Sequence, residues 1–271
     1  MLKRGKKGQL MLFVIVAVLV VALGIMAWLF WPRIQEVFMT KAQAMAFLAS
    51  QSTALQDSVR YCIKRVSTDL IKEQGLHAGY YSYSHLYGID YAGPKLIVVF
   101  KDANHFRINE LPSLDLMQKE FEKAMQAEGY SAILSCLNNF AEFKKKMRIE
   151  ADEPVIKAEF LDETVIIKPE WQIKLKKARA SLTVKAKPIT LLIPVGRAWR
   201  VAKDIVNSEV EQKNFIVEFE SYLRDHTEIM KHTRINAQNY PTAKQTIYMI
   251  STVPYRPGEE PFFFNFAVDR A

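Results

Sequence analysis

The chain has 271 residues, of which 49% are hydrophobic and 24% are charged, and its formal net charge is +8 at pH 7. This length and composition suffice for one large folded domain or two small ones, and they exclude a disordered or low-complexity chain. Half of the excess positive charge falls in residues 1–8. The remainder is only mildly basic, which argues against a nucleic-acid-binding field, and we expect no nucleic-acid partner.

The N-terminus combines a cationic tail with a long apolar segment. The cations of the tail are Lys3, Arg4, Lys6 and Lys7. Residues 10–31 contain no charged side chain and would span about 33 Å as a helix, enough for a hydrocarbon core of about 30 Å. The cations should remain on the cytoplasmic side. The pattern predicts a cytoplasmic tail over 1–8, a transmembrane helix over 9–31 and an extracytoplasmic remainder, in a single-pass protein of the cell membrane.

The junction between tail and apolar segment is Gly8-Gln9, preceded by two lysines. This arrangement resembles the class III signal sequence of archaeal type IV pilin-like proteins. The resemblance implies cleavage between Gly8 and Gln9 by a prepilin-type peptidase, with the apolar helix retained. Many pilins have a glutamate at the fifth mature position, where this chain has Phe13. That departure concerns filament assembly more than processing. The alternatives are an uncleaved signal anchor and an ordinary secretory signal peptide. The absence of a small-x-small cleavage site after the apolar run argues against the secretory signal peptide.

Short motifs are spread from the first cysteine to the C-terminus. They are Val59-Arg60-Tyr61-Cys62, Gln74-Gly75, Gly79-Tyr80, Cys136-Leu137 and Phe262-Phe263-Phe264-Asn265-Phe266-Ala267. Together they resemble a group of uncharacterised single-span surface proteins from small-genome archaea. The resemblance implies a position outside the cell and supplies no catalytic residue.

An alternating four-three spacing of apolar residues predicts a long amphipathic helix from Arg33 to Gln74, ended by Gly75. Residues 32–76 are therefore interpreted as a helical stalk or spine. Three arrangements remain open: a stalk, the spine of a pilin-like protein, or a helix folded onto its own domain. Protein partners or self-association are predicted through residues 34–55.

Residues 77–271 are predicted to form an extracytoplasmic α+β domain, with a subdivision near residue 148 as an alternative. A loop at 77–94 precedes a buried strand at 96–100, and Ser113 caps a further helical region that Gly129 interrupts. Strands are then predicted at 155–160, 164–168, 171–175, 182–186, 191–193, 247–252 and 262–268, with a helix at 196–225. Segregated helices and period-two strands predict an α+β fold with a mostly antiparallel sheet and packed helices.

Cys62 and Cys136 are the only cysteines, and each lies on the apolar face of a predicted helix. Outside the cytoplasm, two cysteines favour one disulfide, which would join the long helix to the next one. The alternative is a pair of buried thiols that never meet.

No sequence motif indicates chemistry. HExxH, a Cys/His cluster, a phosphate-binding Gly-rich loop and GxSxG are all missing, so we predict no catalytic residue, no metal, no cofactor and no enzyme. Two surfaces could bind a partner: the loop tyrosines and a set of strand lysines. They are Tyr80, Tyr81, Tyr83, Tyr87, Lys174, Lys176, Lys185 and Lys187. Exposed tyrosines are typical of protein interfaces, and the lysines would suit anionic lipid or acidic surface polymer.

These patterns favour a membrane-anchored extracytoplasmic surface protein with a structural, assembly or adhesion role, in a pilin-like form if the signal is processed. The alternative is an anchored hydrolase or ligand-binding module whose site no motif reveals.

Overall fold

In a computed structural model, residues 15–26, 39–91, 95–103, 106–211, 220–221, 223–227, 231–254 and 257–270 are described. They form a mixed α+β fold with antiparallel ladders and packed helices, which confirms the predicted fold class at this level. A continuous hydrophobic core contains residues from both sides of residue 148, from Ala44 to Val268.

Helix α1 comprises the described residues 15–26, whose side chains are exposed. The rest of the predicted membrane span, together with the tail and the Gly8-Gln9 junction, lies outside the described residues. Within the part of the chain that is described, no helix combines the length and the apolar character needed to cross a membrane.

Helix α2 runs from Lys41 to Leu76 and is the longest described element. It begins at a capping box, in which the Thr40 hydroxyl accepts from the Gln43 amide and the Gln43 side chain accepts from the Thr40 amide. Thr40 is the N-cap and the helix begins at Lys41, so the prediction of a helix that runs through Thr40 is wrong. At 1.5 Å per residue, α2 is about 54 Å long.

The apolar face of α2 is covered by the protein's own sheets. Ala44, Leu48 and Leu55 have no exposed surface, and α2 contacts strands of all three sheets. Of the three arrangements left open by the sequence, the described helix is folded onto its own domain. Leu48 and Leu55 of the face predicted to self-associate are thus internal, Met45 remains 38% exposed, and residues 34–38 of that prediction lie outside the described residues.

Gly75 does not end the helix as predicted. It is buried in the last turn, where an added Cβ would lie 2.2 Å from the Phe263 carbonyl oxygen and 2.7 Å from the Phe262 ring. Positive φ occurs three residues later, at Ala78 (φ 57°), and again at Gly79 (φ 89°). Gly75 therefore lets the end of α2 approach the aromatic C-terminal strand.

The largest sheet has six strands in the order β1-β2-β12-β11-β10, with β3 beside β2. Its strands are β1 (Gly88–Asp90), β2 (Lys95–Ala103), β3 (Phe106–Asn109), β10 (Thr233–Asn239), β11 (Gln245–Thr252) and β12 (Phe263–Asp269). All described pairings are antiparallel except the one between β12 and β2. Helix α6 (Val195–Glu211) packs on this sheet.

Two three-stranded antiparallel sheets complete the domain, in the orders β4-β7-β8 and β5-β6-β9. Their strands are β4 (Arg148–Ala151), β5 (Val155–Phe160), β6 (Val165–Glu170), β7 (Gln172–Lys177), β8 (Ala180–Lys185) and β9 (Ile189–Leu191). Inward and outward side chains alternate, as in Ile173 and Leu175 against Lys174. The strands predicted at 155–160 and 164–168 pair with each other as the hairpin β5–β6, and those predicted at 171–175 and 182–186 also pair, as the hairpin β7–β8.

The helical segment beside α2 is broken into short pieces. It comprises α3 (Leu114–Ala124), a π-helical turn (Met125–Gly129), α4 (Tyr130–Cys136), a 3₁₀ turn (Asn138–Phe140) and α5 (Ala141–Lys144). Ser113 caps α3 as predicted, accepting from the Leu116 amide. Gly129 does not break the helix, because the π turn continues directly into α4.

Candidate functional site

The disulfide connects the two main helical layers. Cys62 of α2 and Cys136 at the end of α4 are bonded, with their Cα atoms 5.7 Å apart, so the predicted bridge is confirmed. Cys62 is buried and Cys136 is half-buried. The bond therefore lies just beneath the surface, where α4 ends.

An open depression of about 590 Å³ surrounds the bridge and is called here the disulfide groove. Its lining residues are Asp57, Ser58, Tyr61, Cys62, Cys136, Leu137, Asn138, Glu142 and Phe143. Tyr61 is 62% exposed. A hydrogen bond from Lys145 lowers the pKa of Glu142, so one wall of the groove keeps a carboxylate charge.

The 3₁₀ turn that contributes Asn138 to the disulfide groove has unusual backbone geometry. Asn138, Asn139 and Phe140 all adopt positive φ, at 47°, 50° and 61°. Asparagine tolerates this region, whereas Phe140 is unfavourable there and is held by burial of its ring against Trp171, at a centroid distance of 6.1 Å. The buried Phe140 ring thus holds this turn against the core.

The chemistry available in the disulfide groove is limited. It offers carboxylates, an exposed phenol and an amide, but the two sulfurs are oxidised and no histidine lines it. Among the residues that the structure describes, no three His, Cys, Asp or Glu side chains converge as a metal site. A second depression between α2 and the end of β8 has a volume of only about 70 Å³.

The four predicted loop tyrosines do not form one exposed surface. Tyr80 donates to the Glu110 carbonyl at 2.6 Å, and burial raises its pKa. Tyr83 stacks on the buried His77 ring at 3.8 Å. Tyr81 is half-buried, and burial together with a hydrogen bond to Glu128 raises its pKa to about 12.

Tyr87 is the most exposed of the four, at 46%, and the Lys101 ammonium lies 3.8 Å from its ring centroid. The predicted tyrosine surface therefore consists of three half-buried tyrosines, at positions 80, 81 and 83, and one exposed tyrosine, Tyr87. An interface at this loop would depend chiefly on Tyr87.

The four predicted lysines lie along the β7–β8 hairpin. Lys174 and Lys185 project from its exposed face, and Lys187 follows β8 on the exposed side. Lys176 differs, because its ammonium group donates to the Glu150 carboxylate at 2.6 Å. That hydrogen bond lowers the pKa of Glu150. The lysine face is therefore partly neutralised by β4.

Sequence reasoning missed a buried ionic cluster between α6 and the large sheet. Glu209 accepts from the Tyr248 hydroxyl and forms a bidentate pair with Arg270, whose Nε lies 2.9 Å from Oε2. Arg270 also donates to Thr246 at 2.8 Å. Burial and the neighbouring Glu209 carboxylate raise the pKa of Tyr248. The Glu209 carboxylate and the Arg270 guanidinium are paired with each other, so the cluster holds Arg270 against α6.

The chain was compared with protein-family models, with curated proteins and with solved structures, and none of them matches.

Proposed function

We propose that the protein is a membrane-anchored extracytoplasmic surface protein with a structural, assembly or adhesion role. The observation that carries this proposal is the uncharged apolar run of residues 10–31 behind four cations. In this proposal, residues 9–31 span the membrane once and residues 39–270 fold outside the cytoplasm. The pilin-like resemblance adds processing after Gly8 as part of the same proposal.

The disulfide supports the extracytoplasmic placement. Bridges persist in oxidising compartments and are rare where thiols are kept reduced. Both cysteines of the chain form one disulfide, which joins α2 to α4 within the folded core.

A non-catalytic role is supported by the character of the described surface. The larger depression is open to solvent, and the smaller one has a volume of only about 70 Å³. Buried charges are used in pairing, as in the Glu209 cluster. An adhesion or assembly role needs a stable, anchored fold rather than an enclosed reaction site.

The test is the N-terminal residue and membrane behaviour of the protein isolated from its native membrane. We expect it to resist carbonate extraction and to begin at Gln9 if a prepilin-type peptidase processes it. A start at Met1 or Leu2 would leave a plain signal anchor. Release by carbonate without detergent would contradict the proposal.

A ligand-binding module is the second candidate, and the disulfide groove favours it. Its volume matches that of small-molecule sites, although it is more open than most of them. Chemical-shift mapping against a panel of cationic and aromatic fragments would test this role. Shifts scattered over the surface, with none centred on Tyr61, would refute it.

A further inference from the structure

The end of the domain that follows the predicted span carries a cluster of cations, called here the basic end. Its residues are Lys41, Lys144, Lys145, Lys146, Arg148, Lys177 and Arg179. Three segments that are distant in the sequence contribute to it: the start of α2, the segment joining α5 to β4, and the turn of the β7–β8 hairpin. All of these side chains are exposed or half-buried.

Contacts of Lys177 show that these three segments meet. Its ammonium group donates to the Lys146 carbonyl at 2.5 Å and lies 4.9 Å from the ring centroid of Phe47. In the adjoining ladder, Arg148 of β4 is paired with Lys176 of β7. Phe47 lies in the second turn of α2, so the hairpin turn is at the N-terminal end of that helix.

Few acids offset the cluster. Glu142 pairs with Lys145 at 2.7 Å, and Glu150 is shared between Arg148 at 3.1 Å and Lys176. The first turn of α2 contains no acid. Within the described residues, Lys41, Lys144, Lys146, Lys177 and Arg179 form no ion pair. An excess of positive charge therefore remains at this end.

The position of the basic end along α2 suggests its partner. Eight residues lie between Trp31, the last residue of the apolar run, and Thr40, and the nine Cα–Cα steps between these two residues reach about 30 Å at most. The N-terminal end of α2 is thereby confined near the bilayer, whereas its C-terminal end lies about 54 Å further along the axis. The cations are thus concentrated at the end held closest to the lipid headgroups.

We propose that the basic end docks the domain onto anionic headgroups of the bilayer in which the chain is anchored. This inference rests on the proposed membrane anchor and adds an orientation: the β7–β8 turn faces the lipid and the end of α2 faces away. The attraction acts only within about one Debye length, about 8 Å at physiological salt, so the docked state requires the close approach that the tether supplies. Each cation near an anionic surface strengthens docking by about fivefold.

The test uses the full chain reconstituted into vesicles that contain a headgroup-labelled acceptor lipid. A donor dye is placed on Ser181→Cys beside the hairpin turn, or on Ser84→Cys beyond the C-terminal end of α2. Both sites are exposed and the native cysteines are bonded to each other, so only the added thiol reacts. Vesicles contain either zwitterionic lipid alone or about a third phosphatidylglycerol, a fraction sufficient for a negative surface potential.

We expect strong energy transfer from position 181 in anionic vesicles, falling by about a factor of two or more in zwitterionic vesicles or at 1 M salt. Transfer from position 84 should stay weak in all conditions. Neutralising four cations, in K144Q/K146Q/K177Q/R179Q, should reproduce the zwitterionic result. A matched variant that removes four exposed cations elsewhere, K64Q/K119Q/K123Q/K203Q, should behave like the parent chain.

Flotation of the same samples distinguishes failure of the proposed anchor from failure of the proposed docking. If the chain floats with the vesicles but energy transfer from position 181 does not change with lipid charge or salt, docking is overturned and the anchor stands. If the chain does not float, the proposed anchor fails and the docking inference fails with it. The lipid and salt comparisons use the chain with all of its cations. They therefore remain decisive even if the quadruple variant fails to fold.

Discussion

Reduction of the Cys62–Cys136 bridge should destabilise the domain strongly. The bridge closes a loop with a sequence separation of 74 residues. Opening a loop of this size gives the unfolded chain an entropy worth about 4.5 kcal/mol at 25 °C in the chain-entropy relation, and measured values for bridges are typically about 2–4 kcal/mol. We therefore expect a loss of about 2–4 kcal/mol in the free energy of unfolding.

The assay is urea unfolding of the detergent-solubilised chain with and without a phosphine reductant, followed by near-UV circular dichroism. With a denaturant slope of about 2–3 kcal/mol/M, the midpoint should fall by about 1–2 M. The double variant C62A/C136A, which has no bridge to open, should show no response to the reductant. Hydrogen exchange should rise most in α4 and in the 3₁₀ turn (Asn138–Phe140), because the bridge ends there.

An unchanged midpoint on complete reduction, verified by thiol counting, would refute this reasoning. It would mean that the unfolded chain gains little conformational freedom when this loop is opened. A fall in midpoint equal in the parent chain and in C62A/C136A would show an effect of the reductant itself.

Three further predictions concern single residues. Gly75→Ala should destabilise the fold by about 2 kcal/mol or more in thermal or urea unfolding, because its methyl group would overlap the Phe263 carbonyl. Glu209→Gln should cost about 3–5 kcal/mol in the same assay, since it leaves the Arg270 charge without its buried partner. Tyr81 should ionise near pH 12, and because its pKa is raised on folding, its contribution to stability is full below pH 10 and is lost as the pH rises toward 12; absorbance at 295 nm measures this.

Each of these has a matched control. Gly24→Ala adds a methyl group where no other atom lies within 4 Å, and should be neutral. Glu211→Gln removes an exposed carboxylate from the same helix as Glu209 and should change stability by less than about 0.5 kcal/mol. Glu128→Gln should lower the pKa of Tyr81 toward its usual value by removing the charged acceptor. Equal effects in a variant and its control would show that the named contact is not the cause.

The sequence predicted those parts of the fold that local pattern controls. Period-two alternation located the strands of β5, β6, β7 and β8, and apolar faces on two predicted helices indicated the disulfide. Strand β10 was missed because its sequence, Thr233–Asn239, is largely polar and its order comes from pairing with β11. The role of Gly75 was misread because a buried glycine and a capping glycine look alike until the facing strand is known.

The candidate surfaces were harder to predict, because they are assembled from distant segments. The lysines of β7 and β8 were visible as an alternating pattern, but their partial neutralisation depends on Glu150 of a different strand. The ionic cluster of Glu209 joins residues 39 and 61 positions apart, which no periodicity relates. Its one local signal was Tyr248, a hydroxyl in an otherwise apolar stretch of β11.

The two ends of helix α2 lie at two different surfaces of the domain, the basic end and the loop around Tyr87. A stalk would hold the domain away from the bilayer and leave an apolar stripe for assembly, but the described helix uses that stripe to support its own sheets. Its N-terminal end carries the excess of cations, and the chain beyond its C-terminal end leads to the exposed ring of Tyr87. If the basic end meets the lipid, a partner outside the cell reaches the opposite end first. Adhesion or assembly would then depend on the loop around Tyr87 rather than on residues 41–55, which reverses the order of importance that the sequence alone suggested.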